Sequence, residues 1–173
     1  MTHAVKIAVL VFVAGVLQAT VFGSAGVFGA TPDLLLVTLL AIALRRGAVA
    51  GALAGFLGGL LLDVATLESL GVTSLLLTLV GYWIGRFGET TARDRAYAPV
   101  ISVVAATVFV AVGGYMLHYM LGADVLAARA LGTALLAALG LNLVIGAPVF
   151  ALGRLLLRSD ERGGRAGEVQ LLG

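Results

Sequence analysis

The chain has 173 residues, 61% of them hydrophobic and only 12% charged, with a mean hydropathy of +1.11. Soluble domains carry about 25% charged residues, so this composition excludes an ordinary soluble domain and specifies a membrane protein. Six spans of about 20 residues would use about 120 positions and leave no room for a soluble catalytic domain. Cysteine is absent, which removes disulfides and thiolate metal sites, and the formal charge of +2 matters less than where the charges lie.

In chain order, the first span is expected over residues 5–22, with Lys6 at its edge and Gln18 and Thr20 near its far end. A cleaved signal peptide is the rival reading, but the charged leader is weak and further hydrophobic spans follow at once. Residues 23–30 are small, uncharged and half apolar, and belong at the interface or dipping into the membrane. Thr31-Pro32-Asp33 reads as a helix start: threonine suits the cap, proline is tolerated at the first helical position, and aspartate favours the positive end of the helix dipole. The second span, 32–46, is short, because 15 residues rise about 22 Å against a hydrocarbon core of about 30 Å. It needs tight packing, local thinning or help from the preceding loop. Arg45-Arg46 closes it.

The third span, 47–65, carries Gly47, Gly51, Gly55 and Gly59 at spacing four, and Asp63 continues that line. Residues four apart are neighbours on one slanted ridge, so this helix presents a nearly flat backbone groove ending in a carboxylate. The fourth span, 70–86, closes on Gly81 and Gly85, again four apart, and then Arg86. In lipid, such ridges let helices approach until dispersion holds them, for internal packing or for a partner's helix. A charged loop, 87–96, leads to span five, 98–120, whose last turns hold Tyr115, His118 and Tyr119. Span six, 130–157, contains Asn142 midway and Pro148, which is expected to kink it. The division is therefore one transmembrane domain, 1–158, and a polar cytoplasmic tail, 159–173, expected to be disordered.

Numbering the connections alternately puts 10 of the 11 basic residues on one side, among them the anchors Arg45, Arg46 and Arg86, with only Arg129 opposite. The positive-inside rule then places both termini in the cytoplasm. The expected fold is an all-α, six-span, glycine-packed helical bundle in the bacterial inner membrane.

Few residues could carry chemistry. Asp63, about 25 Å along its helix from Arg46, opposes the dipole of that helix and calls for a donor or cation. Tyr115, His118, Tyr119 and Arg129 sit at the same outer level and could supply one. Asp63, Tyr115, His118, Asn142 and Gln18 thus form either a polar pocket or structural pairs. Interfacial tyrosines ordinarily form an aromatic belt, and amides within spans ordinarily bond between helices. No phosphate loop, zinc-protease helix or nucleophile elbow occurs, and two histidines are too few for most metal sites. Neither catalysis, a cofactor, a metal nor nucleic acid is expected.

Leu17-Gln18-Ala19-Thr20, Pro32-Asp33-Leu34-Leu35-Leu36, the glycines leading to Leu60-Leu61-Leu62-Asp63, Leu70-Gly71 and Gly81-Tyr82-Trp83-Ile84-Gly85-Arg86 resemble, in order and spacing, the rod shape-determining protein MreD family. Asn142 and Pro148 sit where that family places an asparagine and a proline. The resemblance implies a non-enzymatic component of the bacterial elongation machinery. Its partners would be an MreC-like bitopic scaffold, a RodA glycosyltransferase with its class B penicillin-binding protein, and the actin-like MreB filament. Six short spans also resemble the substrate-binding subunit of energy-coupling-factor transporters, in which Asp63, Tyr115, His118 and Asn142 would converge on a small molecule. An aromatic content of 7% with one Trp speaks against a ring-binding pocket.

Overall fold

A segment reading Leu-Leu-Leu-Val-Thr-Leu-Leu-Ala-Ile-Ala-Leu is apolar on every side, and a helix apolar all round must be enclosed. The computed structural model, which describes residues 2–22, 31–67, 69–92, 97–122 and 128–158, puts this segment at the centre of the molecule. Six helices run in order: α1 (Thr2–Leu17), α2 (Leu34–Arg46), α3 (Ala48–Thr66), α4 (Val72–Phe87), α5 (Ala98–Met120) and α6 (Ala128–Arg158). Short π-helical turns, Gln18–Phe22 and Gly88–Ala92, extend α1 and α4. No strand occurs among the described residues.

Every residue of α2 from Leu35 to Leu44 is buried, and the other five helices all pack on it. Its side chains form the core with Val11, Ala14, Ala54, Leu77, Val80, Val103 and Ala106 from the surrounding helices. This enclosure answers the problem posed by the length of α2. Its 13 residues rise about 20 Å, and a helix surrounded by longer neighbours need not reach both interfaces itself.

Around α2 the helices pack in the order α1, α3, α4, α5, α6. A single residue separates α2 from α3: Gly47, at φ +88°, a left-handed conformation that suits glycine. The outer surface is apolar, with Phe12, Val49, Leu53, Phe56, Trp83, Phe109, Leu136 and Val144 all exposed. By length and composition, Ala48–Thr66, Ala98–Met120 and Gly132–Gly153 can cross a membrane, and Ala4–Thr20 is a shorter apolar helix. Pro148 is exposed within one continuous α6.

The helix expected from Pro32 begins two residues later, and its cap is Asp33 rather than Thr31. Asp33 Oδ1 accepts from Leu36 N at 2.8 Å, whereas Thr31 is exposed. The shift has a local cause, since the backbone of residues 32–34 is engaged by side chains from α6 and from the turn that extends α1. The interfacial segment 23–30, the basic residues Arg93 and Arg95, and the tail 159–173 lie outside the described residues, and Arg129 falls in the first turn of α6.

Candidate functional site

Three features organise the polar and small residues. The first is a glycine seam between α3 and α4. A side chain at Gly51 would strike the carbonyl of Gly81, one at Gly55 the carbonyl of Leu77, and one at Gly59 the Cα of Ser74. From the other side, Gly81 meets the backbone of Gly51, and Gly85 meets Gly47. The two spacing-four ridges thus face each other within one hairpin. The ridge of α3 is turned inward and is not open to a partner's helix. Gly58, one position off the ridge, rests on Val11 of α1 and Leu35 of α2.

Carboxylates close both ends of this hairpin. Asp63, 0% exposed near the end of α3, accepts from Gly71 N (2.8 Å), Thr73 N (3.3 Å) and Ser74 N (3.3 Å). These are the amides that open α4. Among the described residues its donors are backbone groups rather than Tyr115, His118 or Tyr119, so of the two readings, a polar pocket or structural pairs, this geometry fits a structural pairing. The dipole of α3 alone is a poor guide to the surroundings of Asp63. In an antiparallel pair the end of one helix lies beside the start of the next, where orphan N–H groups and a positive dipole end welcome a carboxylate. At the opposite end Glu89 does the same for α3, its Oε1 accepting from Ala48 N at 2.9 Å while Oε2 pairs with Arg86 at 3.3 Å. Nothing in the spacing of Glu89 marks it for this role.

The third feature is a polar node at the start of α2. Gln18 donates from Nε2 to the Pro32 carbonyl (3.0 Å) and accepts at Oε1 from Leu34 N (2.7 Å), gripping both sides of Asp33. Asn142, 1% exposed on α6, accepts from Asp33 N (2.7 Å) and donates to Thr107 Oγ1 of α5 (3.0 Å). With the Asp33 cap, three amides at the start of α2 are satisfied by side chains. The structure thus brings Gln18 and Asn142 together at Pro32 and Asp33, with hydrogen-bond partners different from those of Asp63. Thr107 gives no signal in the sequence because a threonine in an apolar helix ordinarily bonds its own preceding turn, as Thr66 does to Leu62 O and Thr78 to Ser74 O.

Tyr115 and His118 are partly exposed on α5 and Tyr119 is exposed. A groove of about 230 Å³ between α5 and α6 is lined by Val103, Leu143, Gly146, Phe150 and their neighbours, and includes none of the expected polar pocket residues. Among the described residues no three carboxylates or histidines gather as a metal would require. Arg45 and Arg46 end α2, and Arg86 lies in the last turn of α4, beside the start of α3. Chemically, this arrangement joins helices and aligns their ends.

Comparison with known proteins is consistent with that. No curated protein and no solved structure matches the chain. The family model described as rod shape-determining protein MreD matches residues 2–158, nearly all of the chain, which therefore belongs to the MreD family of rod shape-determining proteins.

Proposed function

We propose that the protein is a non-enzymatic inner-membrane component of the bacterial cell-elongation complex. In this reading it crosses the membrane six times with both termini in the cytoplasm. It binds an MreC-like bitopic scaffold and supports peptidoglycan synthesis by a RodA and class B penicillin-binding protein pair, with the MreB filament on the cytoplasmic side. The observation that carries the proposal is the family match over residues 2–158. The use of Gln18, Asp63 and Asn142 supports it, since each is consumed in holding helix starts rather than turned toward a cavity. The glycine ridge serves internal packing, so partners dock on the apolar outer faces.

Mild-detergent purification of the tagged chain from native membranes, with mass spectrometry of what accompanies it, tests the proposal. A bitopic coiled-coil scaffold and a wall synthase are the expected companions. An ATPase pair with a transmembrane coupling subunit would overturn the reading in favour of a transporter.

A further inference from the structure

The groove between α5 and α6 has apolar walls and meets positive charge at one end. Its floor is Val103 and Gly146, both buried and close to each other across the two helices. Val100 and Ala147 line it from opposite helices and are exposed, and Pro99 and Phe150 line the end nearest the start of α5. After Ala147, Phe150 and then Arg154 follow at spacings of three and four, so one face of α6 runs from the groove to a basic residue. Arg158 comes one turn later. Arg45 of α2 stands at the same end of the molecule, one turn beyond Ala41, the residue nearest Gly153. Helix α5 begins at Ala98, so the positive end of its dipole lies at this mouth of the groove. The negative end of α6 lies about two turns further on.

We propose that this groove holds one acyl chain of an anionic phospholipid, with Arg154, Arg158 and the start of α5 receiving its phosphate. An apolar groove that ends in positive charge is complementary to an amphiphilic anion. Size selects a chain over a helix. An apolar cavity of about 150 Å³ takes a benzene-sized molecule, so about 230 Å³ takes a stretch of one hydrocarbon chain. A partner's helix, about 10–12 Å across with its side chains, does not enter so small a space. Charge then selects the head group. Inside the bilayer a chain gains little by moving from its neighbours into an apolar groove, because lipid tails are as apolar as the lining. Preference for one lipid over another therefore rests on the head group, and clustered arginines draw anionic ones. The site depends neither on the protein partners proposed above nor on which leaflet this end faces.

Native mass spectrometry of the full chain in detergent, with added dioleoyl phosphatidylglycerol or dioleoyl phosphatidylcholine, tests it. One phosphatidylglycerol is expected to bind at least about fivefold more tightly than phosphatidylcholine. Ala147→Phe, at an exposed position on the groove, fills it and should weaken binding of both lipids. Arg154→Gln combined with Arg158→Gln should bring phosphatidylglycerol down to the level of phosphatidylcholine. Thermal unfolding without added lipid shows whether each variant is folded, and if Ala147→Phe is not, Val100→Phe from the opposite wall decides. Equal binding of the two lipids by the unmodified protein would overturn the proposal, as would phosphatidylglycerol binding that ignores the groove-filling or the arginine substitutions. The chain has no native cysteine, so a diazirine cross-linker on Ala147→Cys reads the occupant in native membranes. It is expected to capture lipid, and capture of another protein's membrane helix there would overturn the proposal.

Discussion

Asp63 shows how one side chain is read differently from its own helix and from its neighbour's. Along α3 it is a buried carboxylate at the unfavourable end of a dipole. Beside α4 it is the acceptor for three opening amides. Leaving a buried donor unpaired costs about 1–3 kcal/mol, so Asp63→Leu should destabilise the protein by at least about 3 kcal/mol. Asp63→Asn, which keeps one acceptor oxygen, should lose less. Thermal unfolding in detergent measures both, and an unchanged Asp63→Leu would mean that these amides do not need the carboxylate. At this scale the residue types were legible but their partners were not. Gln18, Asp63 and Asn142 announce themselves as polar groups in apolar runs. Their acceptors and donors are mostly backbone atoms, which carry no residue-specific signal. Thr107 and Glu89 look like an ordinary helix threonine and a loop charge until the fold brings them to Asn142 and to Ala48.

The α3–α4 hairpin was visible as an element because both of its ridges repeat at the spacing that defines a helix face. Its internal use was not, since a flat glycine surface suits a partner's helix as well as a neighbour in the same chain. What decides is the short turn after Asp63, which brings Gly81 and Gly85 opposite Gly51 and Gly47. Gly55 sits where even one carbon would collide with the Leu77 backbone, so Gly55→Leu must force the helices apart. A loss of about 3 kcal/mol or more is expected, at the upper end for overpacking because backbone cannot rotate away. Leu57→Ala, on the exposed face of the same helix, should change stability by less than about 0.5 kcal/mol. Thermal unfolding of the two variants side by side gives the comparison, and a Gly55→Leu protein as stable as the parent would refute the seam. Helix α2 teaches the converse lesson. Its apolar sequence and short length were evident, yet its place at the centre depends on five other helices, and no local pattern encodes that.

At the scale of the whole molecule, an enclosed α2, a glycine-sealed hairpin capped at both ends and an apolar exterior occur together in a member of a family of rod shape-determining proteins. Gln18, Asp63, Glu89 and Asn142 are spent on fixing helix ends, which fits the proposed scaffold role. The scaffold reading also requires an orientation. The Arg45, Arg46 and Arg86 end must face the cytoplasm for one side to meet the filament and the other the wall enzymes. Six crossings and that orientation are the central claim, and impermeant-thiol labelling of single-cysteine variants on spheroplasts tests it most directly. Ala92→Cys, just beyond α4, is predicted to stay unlabelled until the membrane is opened, whereas Leu67→Cys, in the turn after α3, should react on intact spheroplasts. Labelling of Ala92→Cys in intact spheroplasts, with Leu67→Cys protected, would contradict the account.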